Sequence, residues 1–257
     1  MLDLIKQESV AELWPEFALH SVDEPHSGPT LAEAVRTLAV IKEAGFKTFN
    51  TCYGKAVREE LDPYLDYRCY NNIGFLSMET PEATRLLREE TLASQDVFWW
   101  YGTGCYTNRR IIQDGNTLVN RFMGGIHFWR TGATGCWSWT FLRPKRDPYD
   151  DFDGVGMREG KDACIAYHTP DGKALVPTLQ WEGLREGVDD YRHLYTLHTL
   201  IQRAETSGQA RAMELAKQAK VQAATLVESL PWTCREDDQT ATAELDRFRA
   251  QIIDLAL

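Results

Sequence analysis

Two neighbouring carboxylates, Asp23 and Glu24, are the residues best placed in this sequence to do chemistry, because they directly follow a short apolar segment. Carboxyl groups can act as general acids and bases. Consecutive side chains of a strand point to opposite sides, so both can face one pocket only if the chain leaves strand geometry here. Pro25 is compatible with such a break. The pair predicts an acid–base site, and the alternative is a solvated acidic turn.

Polar and aromatic side chains follow the other apolar segments, at positions where strands are predicted to end. These candidates are Asn50, Thr51, Tyr53, Tyr70, Asn71, Asn72, Tyr101, Trp137 and Trp139, with His26 close to the acidic pair. Asn and Tyr donate and accept hydrogen bonds in fixed directions, and aromatic rings offer flat apolar surfaces. Such a set suits a sugar, which has both hydroxyl groups and apolar C–H faces.

Short apolar segments alternate with amphipathic helical stretches from residue 16 onward, a pattern typical of βα units. The strands are predicted at residues 17–22, 47–51, 67–70, 97–102 and 135–141. A hairpin is predicted at residues 163–178, and helices are predicted at 180–204, 208–230 and 241–257. We therefore divide the chain into a barrel-like domain over residues 1–204 and a C-terminal helical extension over 205–257.

Parallel strands joined in this way form either an open doubly wound sheet or a barrel, and the fold class that we predict is α/β, of the (β/α)8 TIM-barrel type. A closed barrel needs eight parallel strands, and the sequence offers five or so βα units. The helical tail cannot supply the other three. We therefore predict an incomplete barrel that corresponds to the C-terminal units, with the first strands missing or provided elsewhere.

Three segments resemble the catalytic domain of glycoside hydrolase family 123 and related uncharacterised bacterial domains. They are the Asp23–Glu24 pair after its strand, the strand segment 135–139, and the run 177–191, which reads Pro-Thr-Leu-Gln-Trp-Glu-Gly-Leu-Arg-Glu-Gly-Val-Asp-Asp-Tyr. The resemblance covers roughly residues 15–200. Gln180 stands where the family motif has arginine. The β-sandwich domain and first barrel strands of the family would precede residue 1.

The resemblance implies a retaining hydrolase of β-linked 2-acetamido-2-deoxyhexosides of the N-acetylgalactosamine kind. In this substrate-assisted reaction the acetamido oxygen of the sugar attacks the anomeric carbon, an exception to the scheme with two enzyme carboxylates. Glu24 is then expected to be the general acid and later the base toward water. Asp23 is expected to orient the acetamide. Tyr101 would bind the acetamido oxygen, and Trp137 or Trp139 would form the floor of the sugar site.

Composition excludes several other classes of protein. The net charge of -10 and the pI near 5.1 argue against a nucleic-acid partner. No apolar run approaches the roughly 20 residues that a membrane span needs. The six cysteines are scattered without a CxxC pair, so we predict buried free thiols, no metal and no cofactor. Arg185, Glu186 and Asp190, within the family-like run, are interpreted as a structural ion-pair set.

Two other functions remain open on the sequence alone. One is a non-catalytic carbohydrate-binding domain or truncated scaffold barrel. The other is a glycosidase that uses Glu24 with a distant second carboxylate, on sugars without an acetamido group. The N-terminus carries no signal peptide, which predicts a cytoplasmic location, whereas a periplasmic or secreted location follows if the chain is an N-terminally truncated fragment.

Overall fold

The fold is described from a computed structural model of the chain. The structure describes residues 1–26, 28–52, 54–71, 78, 80–102, 117–137, 141–142, 149, 165–232 and 242–257. These residues form two compact units, Met1–Tyr101 with Ala133–Trp137, and Gly102–Gly132 with Ser138–Leu257. The boundary predicted at residues 204 and 205 stays a prediction.

The first unit alternates helices with parallel strands. Its elements are α1 (Leu2–Ala11), β1 (Ala18–His20), α2 (Gly28–Glu43), β2 (Lys47–Cys52), α3 (Lys55–Leu61), a 3₁₀ turn (Asp62–Tyr64), β3 (Tyr67–Asn71), α4 (Pro81–Ala93), β4 (Val97–Tyr101) and β5 (Gly135–Trp137). Helix α4 begins at Pro81, because Thr80 accepts a hydrogen bond from the backbone N–H of Ala83 and proline occupies the first turn. Helix α1 was not predicted, and it buries none of its residues.

The strands β1 to β5 form one parallel sheet in sequence order. The sheet is curled like half of a barrel, which agrees with the predicted α/β class and with a partial barrel. Strand β1 is shorter than predicted and ends at His20, so Asp23 and Glu24 lie beyond the sheet. Strand β5 ends at Trp137.

One side of this sheet, here called the aromatic face, carries Phe49, Tyr67, Trp99 and Trp137. The rings of Phe49 and Trp137 stack with centroids 5.2 Å apart, and Tyr67 and Trp99 lie 4.8 Å apart. Gly135 is required on the last strand, because a Cβ atom there would lie 2.6 Å from Nε1 of Trp99. Trp99 can therefore lie against strand β5 only while this position has no side chain.

The opposite side of the sheet is buried against helices. Arg68 forms ion pairs with Asp62 and Asp96 at 2.9 and 2.5 Å, and the hydroxyl of Tyr70 lies 3.4 Å from that of Thr91 in α4. Trp100 is completely buried. Trp99 and Trp100 therefore lie on opposite sides of β4, as alternation along a strand requires.

Two of the predicted buried thiols, Cys52 and Cys69, are confirmed as free and buried, and burial raises the pKa of each. Cys136 is also free but exposed, so the prediction is wrong for this residue. The remaining cysteines, Cys105, Cys164 and Cys234, lie outside the described residues.

The second unit contains helices and one short hairpin. Its elements are α5 (Thr117–Phe122), a π-helical turn (Met123–His127), α6 (Phe128–Thr131), the antiparallel strands β6 (Ala166–His168) and β7 (Leu175–Pro177), and the helices α7 (Leu179–Glu205), α8 (Ala210–Ser229) and α9 (Thr242–Ala256). No helix among the described residues is both long and apolar enough to cross a membrane.

The family-like run forms the first turns of α7, and its residues are used for packing. Asp190 is completely buried and accepts hydrogen bonds from Arg121 at 2.7 Å and from Arg249 at 2.5 Å. Glu186 pairs with Arg249 at 2.8 Å. The predicted structural role of Glu186 and Asp190 is confirmed, although their buried partners are on α5 and α9. Arg185 instead joins an exposed set with Glu182, Glu186 and Asp189.

Glycine at position 187 is explained by a close helix crossing. A Cβ atom at Gly187 would lie 2.5 Å from the carbonyl oxygen of Arg121, and one at Gly125 would lie 2.6 Å from the carbonyl oxygen of Gly187. Backbone cannot move aside as a flexible side chain can. The run 177–191 therefore specifies how α7 packs on α5 and the π-helical turn.

The buried His127 makes the stability of the second unit depend on pH. Burial lowers its pKa to about 4, and its Nδ1–H group donates to the carbonyl oxygen of Trp232 at 2.9 Å. The unfolded chain takes up this proton near pH 6.5 and the folded chain only near pH 4. Stability is therefore lost as the pH falls through this interval, by up to about 3 kcal/mol at roughly 1.4 kcal/mol per pKa unit.

We expect urea unfolding at pH 7, 6, 5 and 4 to show this loss in the wild-type chain and a smaller one in His127→Asn. Asparagine can keep the donor to Trp232 but has no proton to gain. Identical pH dependence in the two chains would show that His127 is not responsible.

Candidate active site

The candidate active site lies at the carboxyl ends of the parallel strands in the first unit. Strand pairing sets Asn71 beside Tyr101, and Tyr101 beside Trp137, on one side of the sheet. One layer deeper, Thr51 pairs with Cys69. Side chains from strands far apart in sequence therefore meet at one edge, as expected for parallel βα architecture.

The segment that carries the acidic pair leaves strand geometry after His20, two residues before the end of the predicted strand. Glu24 adopts a positive φ of 40°, which is unusual for a residue with a side chain. The segment is held by Asn50, whose side-chain oxygen accepts from the backbone N–H of Ser21 at 3.3 Å and from its hydroxyl at 2.7 Å. The amide nitrogen of Asn50 donates to the carbonyl oxygen of Val22 at 3.1 Å.

Thr51 contacts both members of the acidic pair. Its Oγ1 accepts a hydrogen bond from the backbone N–H of Glu24 at 3.1 Å and donates one to Oδ1 of Asp23 at 3.4 Å. Asp23 is exposed, whereas Glu24 is half-buried and the adjoining Pro25 is buried. The two carboxylates therefore occupy different environments although they are adjacent in sequence.

The carboxylate of Glu24 is bound by Tyr101, whose hydroxyl donates to Oε1 at 2.6 Å. Burial raises the pKa of Tyr101 well above its usual range, and the hydrogen bond with Glu24 raises it further. A side-chain hydrogen bond with Asn71 acts in the opposite direction. Tyr101 therefore remains a protonated phenol at neutral pH and acts as a hydrogen-bond donor to Glu24.

The remaining predicted site residues are placed differently from one another. Asn71 is buried at the end of β3, and Trp137 is 51% exposed at the end of β5. His26 is exposed, and its Nδ1–H donates to the carbonyl oxygen of Glu24 at 2.9 Å. Asn50 is completely buried, so its predicted role in substrate binding does not fit its position. Its amide is engaged with the Ser21–Val22 backbone instead.

Three of the predicted binding residues, Tyr53, Asn72 and Trp139, lie outside the described residues. A residue that was not selected from the sequence, His20, lies next to the pair. Its ring packs 5.4 Å from that of Phe49. Burial lowers the pKa of His20, and the charge of Asp23 partly opposes this effect. Among the described residues, no group of three or more His, Cys, Asp or Glu side chains is arranged to hold a metal ion.

Comparison with known proteins gives a likeness to a solved structure. No family model and no curated protein matches the sequence. A family 123 glycoside hydrolase from Clostridium perfringens, studied for glycolipid glycan hydrolysis, matches the fold with a TM-score of 0.61 at 14% sequence identity. The match covers 99% of this chain and 44% of that protein, so this chain spans less than half of its neighbour's length. At this identity the likeness concerns the fold alone.

Proposed function

We propose that this chain carries the catalytic part of a glycoside hydrolase that cleaves β-linked 2-acetamido-2-deoxyhexosides, of the N-acetylgalactosamine kind, with retention. The observation that supports this most is the joining of Asp23, Glu24 and Tyr101 at the carboxyl edge of a parallel sheet. The fold likeness to a family 123 glycoside hydrolase is in keeping with it. We also propose that the five parallel strands of this sheet belong to a closed barrel of eight strands.

Adjacent carboxylates favour a substrate-assisted reaction. A retaining enzyme with its own nucleophile needs two carboxylates that flank the scissile bond, about 5 Å apart. Asp23 and Glu24 are instead sequence neighbours joined through one threonine. When the acetamido oxygen of the substrate is the nucleophile, the enzyme needs a single acid at the glycosidic oxygen. The second carboxylate then lies beside the acetamide nitrogen.

In the proposed mechanism Glu24 donates a proton to the leaving oxygen and later accepts one from water. Asp23, which is exposed and can therefore approach a ligand, orients the acetamide and stabilises the positive charge of the oxazolinium intermediate. Trp137 offers an exposed ring against which the apolar face of a sugar can stack. His26, which is bound to the carbonyl oxygen of Glu24, is proposed to line the same site.

Tyr101 has a second possible partner once substrate binds. Its hydroxyl has one proton, which is donated to Glu24 in the structure. We propose that the acetamido oxygen competes for this proton, which would release Glu24 to act as the acid. The role of Tyr101 in binding the acetamide would then begin only in the complex.

A glycosidase with two distant carboxylates is the less favoured reading. Among the residues described at the carboxyl ends of the five strands, Asp23 and Glu24 are the carboxylates. A non-catalytic carbohydrate-binding domain would also use the exposed ring of Trp137. A binding function, however, does not account for the hydrogen bond from Tyr101 to the carboxylate of Glu24.

The test is to incubate the full chain with 4-nitrophenyl N-acetyl-β-galactosaminide and with 4-nitrophenyl β-galactoside. We expect release of nitrophenol from the first only, with competitive inhibition by a thiazoline mimic of the oxazoline intermediate. Turnover of both substrates without thiazoline inhibition would indicate the two-carboxylate mechanism. Sugar binding without turnover would indicate a binding domain. If the chain neither binds nor cleaves the aryl N-acetyl-β-galactosaminide, the proposal is overturned.

A further inference from the structure

Thr51, on strand β2, contacts both residues of the acidic pair through its single hydroxyl group. We propose that Thr51 is a positioning residue that sets the relative placement of Asp23 and Glu24. The catalytic part of this inference rests on the proposed function. The structural part, that the Thr51 hydroxyl holds the turn bearing the two carboxylates, does not.

The direction of each hydrogen bond follows from the chemistry of a hydroxyl, which has one proton and two acceptor sites. The backbone N–H of Glu24 can only donate, so Thr51 accepts from it at 3.1 Å. The hydroxyl proton remains available for Oδ1 of Asp23, 3.4 Å away. A single side chain therefore links the backbone of one acidic residue to the carboxylate of the other.

The backbone at Glu24 needs such support. Its φ of 40° lies in the left-handed region, which residues with a side chain rarely adopt, and it persists only where surrounding contacts hold it. The turn is anchored at its start by Asn50, which binds the backbone of Ser21 and Val22. Thr51 follows Asn50 in β2, and it contacts Asp23 and Glu24 at the end of the turn.

This arrangement determines where the carboxylate of Glu24 can reach. With its N–H fixed on Thr51, its Oε1 lies 2.6 Å from the hydroxyl of Tyr101 on β4. Loss of the threonine hydroxyl removes the anchor of the backbone N–H, and it leaves Glu24 held by Tyr101 at its carboxylate and by His26 at its carbonyl oxygen. A displacement of about 1 Å at a catalytic group can cost roughly 10²-fold in rate.

The first arm of the test measures hydrogen exchange at the backbone amide of Glu24 by NMR. This measurement does not depend on whether the chain has enzymatic activity. We expect Thr51→Val, which keeps the shape of the side chain, to lower protection of this amide about tenfold. Thr51→Ser, which keeps the hydroxyl, should retain it. Unchanged protection in Thr51→Val would overturn the proposal.

The matched control is Thr48→Val, in the same strand. Thr48 donates to the carbonyl oxygen of Tyr64 at 2.6 Å and is hydrogen-bonded to Asp66, away from the turn. Its replacement should lower stability and leave exchange at Glu24 unchanged. Equal loss of Glu24 protection in Thr48→Val and Thr51→Val would reduce Thr51 to a general contributor to strand stability and overturn its positioning role.

The second arm measures kcat and KM on the aryl N-acetyl-β-galactosaminide. We expect kcat to fall about 10- to 100-fold in Thr51→Val with KM changed less than about threefold, and Thr51→Ser to recover most of the loss. Equal kcat in Thr51→Val and wild type would overturn the catalytic part. A wild-type chain without turnover would contradict the proposed function, whereas the exchange measurement would still decide the structural part.

Discussion

Glu24→Gln should lower kcat on an unactivated disaccharide by about 10²–10⁴-fold, the contribution typical of general acid catalysis. Glutamine has nearly the shape of glutamate and keeps an oxygen that can accept from Tyr101, but it has no acidic proton to give. Activated aryl glycosides should lose less, because their leaving groups depart without full protonation. The measurement is kcat on both kinds of substrate, for wild type and variant.

Two further variants make this result specific to Glu24. Asp23→Asn should slow both kinds of substrate, because an orienting carboxylate is needed whatever the leaving group is. Glu59→Gln changes a carboxylate that is 60% exposed on α3 and should leave kcat at the wild-type value. If Glu24→Gln and wild type cleave the disaccharide equally well, Glu24 is not the general acid.

Asp190→Asn should lower the free energy of unfolding by about 3–5 kcal/mol, the usual cost of removing one partner from a buried ion pair. The side chain of Asp190 is completely buried between Arg121 and Arg249. Asparagine preserves the shape but removes the charge, so two largely buried guanidinium groups lose their shared partner. Urea unfolding at neutral pH, followed by circular dichroism, measures the effect.

The neighbouring aspartate provides a matched control on the same helix. Asp189 is 36% exposed and pairs with Arg185 and Arg192 at 3.5 and 3.6 Å. Asp189→Asn should cost less than about 1 kcal/mol, because exposed ion pairs contribute little. Losses of similar size in the two variants would contradict a special role for the buried network.

The family-like run shows how a specific sequence signal can concern packing more than chemistry. Its Glu186, Gly187 and Asp190 form ion pairs and a close helix crossing within the second unit. The described candidate active-site residues belong to the first unit. Sequence resemblance identified a run that determines helix packing, whereas the candidate chemistry depends on Asp23 and Glu24, in the turn that follows β1.

Local sequence determined the elements and the place of the acidic pair. The apolar run of β4, the cap at Thr80 with Pro81, and the carboxylates after β1 each depend on residues within a few positions of one another. Strand alternation also separated Trp99 from Trp100. Such features follow from backbone geometry and hydrophobic periodicity, which neighbouring residues are sufficient to set.

The tertiary structure decided which side chains meet. Asn50 was expected to bind substrate, but β2 buries it beneath the turn, where it binds the backbone of Ser21 and Val22. Tyr101 contacts Glu24 across 77 positions in sequence. The sequence named these residues as strand-end candidates, but only the pairing of distant strands fixes their partners, because register and side-chain direction depend on the packing of the whole sheet.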